Sequence, residues 1–133
     1  MDPIEKIEAE LNKREKYVSL KAKWLQVETD IGSKYIINVE DVLGIIVYPS
    51  HKTYITSYGR TFPKLTNAPL LKAFENALTL KTLDGGVLYT HPDAVDDVSA
   101  NPRGKVCVTI GSYTMNIRHE LPYVLAEFNL LER

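Results

Sequence analysis

Apolar residues recur along this chain with two different periods, and the switch between them divides it. Ile4, Ile7 and Leu11 fall on one narrow stripe at helical spacing. Asp2 can cap, Pro3 suits the first helical position, and Glu5 completes an Asp-x-x-Glu capping box. Glu10 and Arg14 stand four apart and can pair. The pattern predicts an amphipathic helix over residues 1–16, its stripe suited to docking on a sheet or on a partner. From Tyr17 to Thr29 the period drops to two and β-formers dominate, which predicts a strand. Trp24 lies opposite in phase to Leu25 and Val27.

Sliding the chain over itself by 53 residues brings a second pattern into register. Leu25, Thr29 and Gly32 fall on Leu78, Thr82 and Gly85. Residues 53–57 fall on 106–110, and Gly59 meets Gly111 after a one-residue slip. Pro69, Ala73 and Asn76 fall on Pro122, Ala126 and Asn129. Turn glycines, prolines and apolar phases therefore recur in order, which predicts repeats over 25–77 and 78–131. Each reads as strand, turn, strand, connection, strand, turn, strand, helix. Asn67 or Thr66 is the expected cap of the first helix, with Leu70, Leu71, Phe74, Ala77 and Leu78 on its buried face; Val124, Leu125, Phe128 and Leu131 repeat that stripe. A half unit is too small to bury a core alone, so two copies are expected to pack about a pseudo-two-fold axis as one domain over 1–133. The expected fold class is α+β, an N-terminal helix followed by two mostly antiparallel, helix-closed β repeats.

The second repeat carries Leu80-Lys-Thr-Leu-Asp-Gly85, Val95, Val98, Val106-Cys-Val-Thr109 and Gly111; the first carries Asn38, Val42, Ile45 and Gly59. On these positions each repeat resembles the small flagellar and swarming-motility proteins, with His91 standing where their pattern has Asn. The order of strands and closing helix also resembles LytTR-type DNA-binding domains. The first resemblance implies a small regulatory or assembly protein and brings no catalytic residue with it.

Composition narrows the classes. The chain has 133 residues, 44% hydrophobic and 25% charged, with a net charge of −1, which suits one folded domain. Lysines and arginines number six against five acids over residues 1–24, five against five over 25–77, and five against seven over 78–133. No segment is basic enough for a phosphate-tracking face. No apolar stretch is long enough to span a membrane, and no signal peptide is evident, so a soluble, cytoplasmic protein is expected. Cys107 is the one cysteine, which excludes an internal disulfide.

Candidate chemistry is sparse. His51, His91 and His119 lack zinc-ligand spacing, and Cys107 has no histidine near it in sequence. Asp93, Asp96 and Asp97 cluster after Pro92, more in keeping with a solvated turn than a cation site. No cofactor, metal or catalytic set is expected. One strand face holds more promise. Alternation over residues 51–60 places Tyr54, Thr56 and Tyr58 together, with Arg60 in phase and Lys52 beside them. Such a face can stack and clamp a ligand or partner, and it can equally be aromatic packing. The sequence therefore points to a non-enzymatic regulator, adaptor or inhibitor, a homo-oligomer that binds a protein partner. The alternative is a nucleotide or nucleic-acid module using Lys52, Tyr54, Thr56, Tyr58 and Arg60. Ile4, Ile7 and Leu11 are the expected oligomer or docking stripe.

Overall fold

A computed structural model describes residues 3–4 and 24–131. Over residues 24–131 it places ten strands and one α-helix: β1 (Trp24–Glu28), β2 (Lys34–Asn38), β3 (Val42–Val47), β4 (Lys52–Thr56), β5 (Thr61–Leu65), β6 (Leu78–Lys81), β7 (Val87–Thr90), β8 (Asp97–Ala100), β9 (Val106–Ile110), β10 (Tyr113–Ile117) and α1 (Leu121–Leu131). The strands form a five-stranded sheet in the order β5-β4-β3-β7-β6, a three-stranded sheet β10-β9-β8 and a two-stranded sheet β1-β2. Neighbouring strands in all three run antiparallel.

This mostly β architecture overturns the expected α+β layout. Of the expected N-terminal helix only Pro3 and Ile4 are described: both are helical and Ile4 is half-buried, whereas Ile7 and Leu11 lie outside the described residues. The first half is not closed by a helix either. Between β5 and β6 the chain makes only a single 3-10 turn, Lys72–Phe74, after an extended Leu71 at φ −64°, ψ 141°. The expected cap is used elsewhere: Asn67 Oδ1 accepts from the Glu28 N–H at 2.7 Å, across 39 positions. Phe74 is still buried, so the apolar stripe packs without the helix that its spacing predicted.

The strand order does recur. Each half consists of a hairpin, a 3-10 turn (Val39–Asp41, then Pro92–Ala94) and a three-stranded meander. Backbone bonds repeat with it. Thr29 N–H donates to Ser33 O at 2.8 Å, and Thr82 N–H to Gly86 O at 2.9 Å. The bridge from Thr29 to Leu65 is matched by one from Thr82 to Ile117.

Two cores result, and β3 and β4 separate them. Val27, Ile45, Tyr54, Phe62 and Leu65 centre the first. Leu80, Val108, Met115, Ile117 and Val124 centre the second, which also takes Ile46 and Ile55 from the opposite faces of β3 and β4. A strand buried on both faces reads as a continuous apolar run, as Val42–Val47 does around Gly44. A Cβ at Gly44 would stand 3.4 Å from Ile110, so the second core closes tightly there. Along α1, Val124 is buried and Leu121 and Phe128 are half-buried, but Leu125 is 48% exposed, against the expected stripe.

Candidate binding clefts

The strand face expected to bind is largely interior. Tyr54 is 0% exposed, and its hydroxyl donates to the Pro69 carbonyl. Burial raises its phenol far above the ordinary range. Thr56 is buried, with Oγ1 donating to Arg60 O at 2.8 Å. Lys52, half-buried, opens β4 opposite Val47 and Leu65. Tyr58 occupies the turn Ser57–Gly59, and its side chain lies outside the described residues. Arg60 is exposed, its guanidinium 4.7 Å above the Phe62 ring. Tyr54 and Thr56 thus serve packing, and Arg60 alone of the four described residues is exposed.

A difference in turn length explains the mistaken phase. Four residues, 48–51, join β3 to β4, but five, 101–105, join β8 to β9. Ile45 pairs with Tyr54, and its counterpart Val98 pairs with Val108. The counterpart of Tyr54 is therefore the fully buried Val108, not the half-buried Cys107. A uniform 53-residue offset carries β4 onto the wrong face of β9.

Two clefts of about 410 Å³ each open elsewhere, at matching places in the two halves. Each lies between the tip of the hairpin and the last strand of the meander. In the first, Asp30 N–H donates to Lys64 O at 3.1 Å; in the second, Leu83 N–H donates to Asn116 O at 2.9 Å. These bonds fix the tips against β5 and β10. Gly32 (φ +84°) and Gly85 (φ +95°) supply the left-handed residue that each turn requires. A threonine then locks each turn from the side: Thr29 Oγ1 accepts from Ser33 N–H at 3.1 Å, and Thr82 Oγ1 from Gly86 N–H at 2.9 Å.

The linings differ. Asp30, Tyr35, Arg60, Phe62 and Lys64 border the first cleft, where Tyr35 meets Phe62 edge-on at 5.0 Å. Tyr48, Asp84, Tyr113, Thr114 and Asn116 border the second. There Tyr48 OH donates to Asp84 Oδ2 at 2.7 Å and Thr82 Oγ1 donates to Asp84 Oδ1 at 2.5 Å. Burial pushes the Asp84 carboxyl up, but the hydroxyls of Thr82 and Tyr48 and the N–H groups of Gly86 and Asp84 outweigh it and hold it below the usual carboxylate range. Tyr48 moves the other way, raised by burial and then by its bond to Asp84. His51 stacks on Tyr48 at 4.6 Å, and its Nδ1 lies 3.0 Å from Ser50 Oγ. Both rims carry an exposed aliphatic residue, Ile31 at 84% and Leu83 at 52%.

Sequence reasoning missed Tyr48 and Asp84 as site residues. Their pairing spans 36 positions and has no local signature. The other candidates are scattered. His91 packs on Phe74 at 5.1 Å, His119 stacks on Tyr123 at 4.2 Å, and Cys107 Sγ donates to Asn116 Oδ1 at 3.1 Å. Among the described residues no group of three or more His, Cys, Asp or Glu is placed to hold a metal ion. No helix among them is long and apolar enough to cross a membrane. Comparison of the chain with protein families, curated proteins and solved structures returns no match.

Proposed function

We propose that this protein is a non-enzymatic regulator, adaptor or inhibitor of the cytoplasm, an oligomer that binds protein partners through its two clefts. One observation carries the reading: the same cleft is built twice, each with an exposed aliphatic residue at the rim and polar groups inside. A single exposed aliphatic side chain beside oriented hydrogen-bonding groups suits an extended peptide segment better than a reacting small molecule. The resemblance of each repeat to small motility-associated proteins implies the same class. Burial of Tyr54 and Thr56 weighs against the nucleic-acid alternative, for which labelled DNA and RNA titrated at two salt concentrations is the direct test.

Selection of binders from a displayed library of extended peptides tests the main reading. Enriched peptides are expected to bind at up to two sites per chain, with Ile31→Ser and Leu83→Ser each removing one. Failure to enrich any peptide, or binding indifferent to both substitutions, would count against it.

A further inference from the structure

The sheets contain five, three and two strands, and the two smaller ones correspond to the pieces of the largest. In the five-stranded sheet the meander of the first half meets the hairpin of the second, through β3 and β7. Gly44 lies opposite Thr90, Ile45 opposite Tyr89, Ile46 opposite Leu88 and Val47 opposite Val87. The meander of the second half and the hairpin of the first remain as separate sheets. Strands β8 and β2 therefore each keep one edge with no strand against it among the described residues. Such an edge is a template for another strand.

Burial marks the same gap. Ile45 is 0% exposed and Val42 6%, in the core against which Tyr89 of β7 packs. Their counterparts Val98 and Val95 are only half-buried, at the margin of the second core. The counterpart of Tyr89 is Ile36, half-buried on β2 with the opposite phase to the buried Ile37. The second half thus has an apolar margin with no strand against it among the described residues, and the first half has the matching side chain.

We propose that copies of this chain associate head to tail by antiparallel pairing of β8 in one with β2 in the next, rebuilding a five-stranded sheet across the contact. The proposal rests on the oligomeric part of the reading above and names its surface. The internal register transfers directly: Asp97 opposite Ile37, Val98 opposite Ile36, Ser99 opposite Tyr35 and Ala100 opposite Lys34. Val98 and Ile36 then cover each other, while alternation sends Asp97 and Ser99, both exposed, to the other face. A head-to-tail contact of this kind propagates into a ring or a filament.

Thiol cross-linking of the full chain tests this, with Cys107→Ser as background and Ile36→Cys and Val98→Cys made singly and together. A short thiol cross-linker should join an equimolar mixture of the two single variants but neither alone. The double variant should give a ladder at multiples of 15.0 kDa on a denaturing gel. A dimer from Val98→Cys alone would indicate a symmetric β8 contact and overturn the proposal, as would no cross-link between variants that melt cooperatively. A second route needs no cysteine: Ile36→Asp, facing the acidic end of β8, should raise the concentration for half-association at least tenfold, and an unchanged midpoint overturns the proposal. Light scattering separates the two readings. Oligomers without the cross-link defeat only this contact, while a strict monomer at high concentration defeats the oligomeric reading as well.

Discussion

Asn67 and His119 do the same work in the two halves of this protein. Asn67 Oδ1 accepts the N–H of Glu28 at 2.7 Å, and His119 Nε2 accepts the N–H of Lys81 at 3.1 Å. Each side chain thereby closes the end of a hairpin strand against the segment that follows the meander. The amide of Asn67 does so at any pH, but the imidazole does so only when neutral.

That difference predicts an acid-sensitive second half. Burial first, then the charge of Lys81, hold the His119 pKa below its ordinary value, with Glu127 opposing and Arg118 adding to the effect. A depressed folded pKa means that the unfolded chain binds the proton first. The stabilisation is complete above about pH 6.5 and declines as pH falls toward the folded value. Melting temperature followed by circular dichroism should fall over this window, and His119→Asn, copying Asn67, should flatten the fall.

Tyr54→Phe should lower stability by about 1–2 kcal/mol in urea unfolding, because the Pro69 carbonyl loses its donor. Tyr54→Ala should cost about 3–5 kcal/mol by opening a cavity in the first core. Peptide binding by Tyr54→Phe should match that of the parent protein.

Asp84 holds the tip of the second hairpin. Asp84→Asn should destabilise by about 1–2 kcal/mol through its weakened bonds with Thr82 and Tyr48. Its depressed pKa adds a second sign: the contribution is present above about pH 3.9 and disappears as pH falls through the folded value. A pH series of urea midpoints should therefore converge for the parent and Asp84→Asn proteins at the acid end.

Two glycines at positive φ should respond differently to alanine. Gly32 (φ +84°) has nothing within 4 Å of a Cβ, so Gly32→Ala should cost only the backbone strain, about 1 kcal/mol. At Gly59 (φ +72°) the Cβ would lie 2.1 Å from Ser112 Oγ, and that hydroxyl bonds Gly59 O at 3.3 Å. Gly59→Ala should cost about 2–3 kcal/mol, and adding Ser112→Gly should recover part of it. Thermal melts of the three variants check both figures.

Much of the strand plan was legible locally. Thr29, Gly32, Thr82 and Gly85 marked the hairpins because a left-handed glycine and a hydroxyl lock are demands of the turn itself. Helical spacing misled around residues 66–77. Leu70, Leu71, Phe74 and Ala77 face the first core without a helix, because Asn67 is committed to Glu28 and Leu71 is extended. Alternation in β4 was real, but both of its faces are buried, so period two could not distinguish a binding face from a core face.

The sequence alone thus determined that turns and strands recur in two halves, because turn chemistry and alternation act over a few residues. Its pattern predicted four strands in each half, where the structure has five. Tertiary structure decided which sides of those strands are interior. β3 and β4 stand between two cores, a consequence of the β3–β7 pairing across forty or more positions. It also decided where the clefts lie, since each joins a hairpin tip to a strand some thirty residues later through backbone bonds that no side-chain pattern records.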